Sequence, residues 1–128
     1  MAKAILSVVA GLLAFAAVVT VAGIIMRGAW PDYARVADEM TFTLPMMIAR
    51  LTIGALATIA AGLVTALIAR PSTLVRLTTG FLLLVAFIPQ HIMLWEKFPL
   101  WYHVTFLLSL IPLTYLGGLR IGRRVSSL

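Results

Sequence analysis

Residues 4–26 contain no charged side chain. As a helix rising about 1.5 Å per residue, a run of 23 residues, from 4 to 26, reaches roughly 35 Å. That length crosses the ~30 Å hydrocarbon core of a bilayer. A secretory leader has a shorter apolar stretch, about 7–15 residues, followed by a small-residue cleavage site. This run is longer and ends in Met26, Arg27 and Gly28, so a retained membrane span is expected.

Three further apolar runs follow, at 44–69, 74–95 and 100–119. They are too long, and alternate too little, to be strands of a membrane barrel. Only a lipid solvent tolerates so much apolar surface on so short a chain. Of the 128 residues, 62% are hydrophobic and 11% charged, against about 45–50% and about 25% in soluble domains. Residues 1–128 therefore read as one all-α domain. The expected architecture is an integral membrane up-down four-helix bundle, because short connections force consecutive spans to run antiparallel.

Local signals place the ends of the runs. Pro31 can open a short surface helix, with Asp32 at its positive dipole end. Thr43 suits a helix N-cap, and Pro45 is tolerated in a first turn. Pro71 disfavours helix at Arg70, and Pro112 should kink the last span. Gly117 and Gly118 read as helix-end glycines.

Charge sets an expected orientation. Lys3, Arg70, Arg76, Arg120, Arg123 and Arg124 fall on one side of a four-span chain, while Arg27, Arg35, Arg50, Lys97 and all four acids fall on the other. The positive-inside rule then puts both termini in the cytoplasm. The net charge of +6 is thereby explained by a membrane, not by nucleic acid as a partner. The absence of cysteine removes disulfides and thiolate chemistry.

Two groups of residues invite a functional reading. Gly54, Thr58, Gly62 and Ala66 recur every four residues in the second span and make a small-residue face for close helix packing. That face serves contacts within the bundle or contacts with a second membrane protein. Arg50, Gln90, His91, Glu96 and His103 form a polar set near the outer surface, with Asp38, Glu39 and Tyr102 around it. Arg50 lies about two turns inside its span, so it either pairs with Glu96 or Glu39 within the bundle or snorkels to the headgroups. His91 and His103 flank one turn. They serve as interfacial hydrogen-bonding groups or, in an alternative reading, as haem or metal ligands. Trp30, Trp95, Trp101, Tyr33 and Tyr102 suit an interfacial belt.

No nucleophile elbow, zinc-protease helix or phosphate loop is present, so no catalytic residue and no cofactor are expected. The expected role is a non-enzymatic membrane protein acting through helix–helix assembly, as a homo-oligomer or an accessory subunit. The alternatives are an oligomeric transporter of ions or small solutes and a redox protein built on His91 and His103. The chain's layout resembles the small four-helix proteins of the bacterial inner membrane. The likeness rests on its small-residue second span ending at 66–70, the Phe-Pro-Leu-Trp at 98–101 and the Leu-Gly-Gly-Leu-Arg at 116–120. It implies fold and inner-membrane location, and brings no functional residue with it.

Overall fold

A computed structural model describes the backbone of residues 2–69 and 73–127 and the side chains of 2–68 and 74–117. Within them lie five helices and no strand: α1 (Ala2–Ala29), α2 (Pro31–Ala37), α3 (Leu44–Ala69), α4 (Thr73–Met93) and α5 (Leu100–Ser127). All but α2 are long and apolar enough to cross a membrane. Their apolar residues face outward in large numbers, among them Leu13 at 65%, Ile24 at 67% and Leu108 at 71% exposure. Lipid, not water, is the solvent such a surface suits. Arg70 lies outside the described residues, as do the side chains of Arg120, Arg123 and Arg124.

The helix ends follow the local chemistry. Pro31 pushes Trp30 to φ −127° and ψ 89°, which ends α1 and starts α2. Within α2, Asp32 and Arg35 pair one turn apart. The chain leaves α2 through Met40 at φ 58°, a left-handed conformation costing about 1–2 kcal/mol in an L-residue. The Met40 side chain offsets this by packing against the aromatic cluster at this end of the bundle. Thr43 occupies the N-cap place of α3 through its carbonyl, which accepts the Met47 N–H at 2.9 Å. α4 stops at Met93, two residues before the end of the apolar run, and a turn over 94–99 leads into α5.

Consecutive long helices run antiparallel, but sequence neighbours are not always packing neighbours. Around the bundle the order is α1, α3, α5, α4; α3 and α4 face each other across a diagonal, and α1 touches α4 far less than it touches α3. The reason lies in the small residues of α3. A Cβ on Gly54 would stand 2.7 Å from the Phe106 ring, and one on Gly62 would collide with the Thr114 carbonyl. From the other helix, a Cβ on Gly117 would collide with the Ile59 carbonyl. The two backbones thus lie in contact, with residue numbers rising in the same direction. Ala57 and Ala61 are fully buried beside this contact. The face formed by Gly54, Thr58, Gly62 and Ala66 is therefore occupied inside the protomer. Gly117 and Gly118 are not helix-end glycines, since α5 continues through them to Ser127.

Threonines satisfy themselves. Thr52, Thr65, Thr78, Thr79 and Thr114 each donate to the carbonyl one turn back, as helical threonines do in an apolar solvent; Thr105 is exposed and makes no such bond. Pro89 and Pro112 both lie inside continuous helices. Arg76 is not at the surface: it is 3% exposed, with its guanidinium 4.9 Å from the Tyr115 ring centre.

Candidate functional site: an arginine held by tyrosines over a cleft

One end of the bundle is closed by a column of aromatic rings drawn from four elements. Trp30 stacks on Tyr33, Tyr33 on Phe42, Phe42 on Phe98 and Phe98 on Tyr102, with centroids 4.3 to 6.0 Å apart. Tyr33 and Tyr102 are each 4% exposed. They are core residues here and not members of an interfacial belt; exposed Trp95 and Trp101 fit that description better. The chain achieves this by stacking Tyr33 of α2 on Phe42, which stacks in turn on Phe98 at the entrance to α5.

Arg50 enters this column from α3. Its Nη1 donates to the Tyr33 hydroxyl at 2.8 Å and its Nε to the Tyr102 hydroxyl at 3.2 Å. The guanidinium carbon lies 4.6 Å from the Phe42 ring centre and 5.8 Å from that of Phe98. A flat, weakly hydrated guanidinium suits such a frame of π faces and hydroxyls better than a compact, strongly hydrated ammonium. Nη2 makes no bond to any described residue, and Arg50 has no sealed, unsatisfied nitrogen.

No carboxylate pairs with Arg50 among the described residues. The ion pairs present are Arg27 with Asp38 at 3.2 Å, and Arg35 with Asp32. Glu39 and Glu96 are exposed and neither reaches Arg50, so the pairing expected with one of them does not form. The side chain reaches instead to the tyrosine hydroxyls and rings at this end of the bundle.

Below Arg50 a cleft of about 210 Å³ runs between the helices. Its upper wall is polar, with Arg27, Arg50, Tyr33, Tyr102 and Gln90. The floor is aromatic: Phe87 meets Phe15 at 5.3 Å and Phe106 at 5.1 Å, both edge to face. A smaller space of about 40 Å³ beside it touches Arg50, Gln90 and His91.

His91 and His103 do meet, across the antiparallel α4–α5 pair. Their Nδ1 atoms are 2.6 Å apart, and His103 Nε2 lies 3.3 Å from the Trp95 carbonyl. A carbonyl can only accept, so with both rings neutral His103 donates from Nε2 and accepts at Nδ1, and His91 is the Nδ1–H donor. The Trp95 ring stacks on His103 at 4.8 Å. Two imidazole nitrogens on one tetrahedral zinc, each at about 2.0–2.1 Å, would stand roughly 3.3 Å apart. The pair as placed is a hydrogen bond. No group of three potential metal ligands occurs among the described residues, and Glu96 stands apart in the turn.

Replacing His103 with Phe strands the buried His91 donor. A loss of about 1–3 kcal/mol in unfolding stability in detergent is expected. Adding His91→Phe should recover part of it, a coupling that a double-mutant cycle reads directly. Strict additivity of the two changes would mean the bond contributes nothing.

Of the polar residues singled out from sequence, Arg50, Gln90 and Tyr102 gather at the cleft, and His91 borders the smaller space. His103 supports His91 from behind. Asp38 joins Arg27 at the rim, while Glu39 and Glu96 lie outside. Sequence reading missed Phe42 and Phe98, the rings that frame Arg50. Their only signal was aromatic residues in short polar connections, where a solvated turn needs none.

Four membrane-length apolar helices around a cleft with a polar head define a multi-pass membrane protein with an internal cationic group. No protein-family model matches the chain, and neither a curated protein nor a solved structure does.

Proposed function

We propose that this chain is a non-enzymatic, multi-pass protein of the bacterial inner membrane that binds an oxyanion at Arg50 and serves as an accessory component of the membrane. The observation that carries the reading is a guanidinium drawn into the bundle with no carboxylate partner among the described residues. Such a charge is costly within a membrane unless something answers it, and two tyrosine hydroxyls are neutral. A carboxylate, sulfate or phosphate would accept charge-assisted bonds from Nη2, roughly twice as strong as neutral ones.

The asymmetry of basic residues supports an orientation with both termini in the cytoplasm and the Arg50 end outside. Binding is favoured over passage, because the Phe15–Phe87–Phe106 floor closes the cleft within the protomer. Assembly with itself or another membrane protein, if it occurs, uses a face other than the small-residue stripe, which α5 already covers.

The test is calorimetric titration of sulfate into the protein in phosphatidylcholine nanodiscs. One saturable site is expected, absent in Arg50→Gln and retained in Arg35→Gln, whose side chain is exposed and already paired with Asp32. Equal heats for wild type and Arg50→Gln would sink the reading.

A further inference from the structure

The cleft has a roof and an open side. Its roof is α2, which places the buried Tyr33 over Arg50, together with the Arg27–Asp38 ion pair at the rim. Its open side is the seam between α1 and α4, the loosest side of the bundle. Phe15, Val19, Gly23 and Arg27 all line the cleft and recur every four residues along α1. They form one stripe about 18 Å long, at 1.5 Å per residue. Val19 is 37% exposed and Gln90 across the seam is also exposed. Nothing lies within 4 Å of where a Gly23 Cβ would stand. The way in is therefore sideways, at bilayer depth, and its lining turns from cationic at Arg50 to apolar at Val19.

That sequence of surfaces matches an amphiphile with an anionic head. The cleft, at about 210 Å³, is smaller than the roughly 300–1,000 Å³ of pockets that enclose a whole drug-sized ligand. It admits a headgroup and the first part of a chain, leaving the remainder in the bilayer. A free inorganic anion would use Arg50 but would leave the apolar stripe and the lateral opening unexplained.

Building on the reading of Arg50 as an oxyanion site, we propose that its occupant is one anionic phospholipid from the adjacent leaflet. The lipid phosphate accepts from Arg50 Nη2, and an acyl chain lies in the α1–α4 seam over Val19 and Gly23. Phosphatidylcholine presents the same phosphate, but its own trimethylammonium group offsets the charge, so an anionic lipid such as phosphatidylglycerol is preferred.

Native mass spectrometry of the protein released from nanodiscs of equal parts phosphatidylglycerol and phosphatidylcholine tests this. One phosphatidylglycerol per protomer is expected to be retained, roughly tenfold over phosphatidylcholine, as one charge-assisted contact allows. Arg50→Gln should abolish both this preference and the sulfate titration. Gly23→Leu fills the seam where the fold has room and should abolish lipid retention. Equal retention of the two lipids, or retention unchanged by Gly23→Leu, would overturn the lipid assignment. If sulfate still titrates in that case, the site takes a free anion and the proposed function stands. If sulfate fails as well, both fall together.

Discussion

Gly62→Leu is expected to destabilise the bundle by about 3 kcal/mol or more, the largest effect of any single substitution considered for the fold. The added side chain would start inside the Thr114 carbonyl, and a helix backbone cannot turn aside as a side chain can. Overpacking a core typically costs about 1–3 kcal/mol when neighbours shift rotamers; here α3 and α5 must separate, and the Gly117–Ile59 contact goes with them. Gly54→Leu should cost less, about 1–3 kcal/mol, since its obstacle is the Phe106 ring. Gly23→Leu should change stability by under about 1 kcal/mol, because it meets open space and replaces a poor helix former. Unfolding of the three variants in detergent gives the order directly. The same series separates fold from assembly. If Gly62→Leu left the protomer's stability intact while altering its oligomeric state, the stripe would be an interface between chains and the packing described above would be wrong.

Arg50→Met is expected to act mainly on the ligand: to cost about 1–3 kcal/mol of stability through the two tyrosine hydroxyls it leaves without a partner, while weakening oxyanion binding by at least about 30-fold. Removing one member of a buried ion pair typically costs about 3–5 kcal/mol, because the partner is left as an uncompensated charge. Arg50 has no charged partner to strand. Methionine keeps the length and fills the space between Phe42 and Phe98, at the loss of two hydrogen bonds to hydroxyls near the bundle's end. For the ligand the change is severe, since a charge-assisted contact contributes about 1.5–3 kcal/mol, and Nη2 can make two. Tyr33→Phe and Tyr102→Phe should fall between, loosening the guanidinium without removing it. A large stability loss in Arg50→Met with binding unchanged would make this arginine a structural brace.

The membrane-length helices were legible in the sequence because hydrocarbon is an undemanding solvent to read. Every backbone group must be satisfied within its own helix, so a run of apolar residues long enough to cross must be a helix, whatever its neighbours do. Pro31 likewise marked α2 without help, since its ring fixes the backbone locally. The polar set near one end was legible in part. Counting helices places Arg50, Gln90, His91 and Tyr102 at the same end of the bundle, and the structure does bring them together.

Which helix lies beside which was not legible. A tight connection makes α3 and α4 antiparallel but does not make them adjacent, and only the steric match of Gly54 and Gly62 with α5 decides the ring order. Nor could the sequence choose Arg50's partners. Glu96 and Tyr102 stand at similar depth, and charge alone favours the carboxylate. Glu96 instead sits in an exposed turn, while stacking of Phe98 on Tyr102 holds a hydroxyl where the guanidinium can reach it. The sequence by itself determined the solvent, the number of long helices and the end at which the polar groups lie, because each depends on local length and composition. The tertiary structure alone decided that α1 and α4 leave a seam and that Arg50 faces it without a carboxylate, because both depend on how separate helices fit.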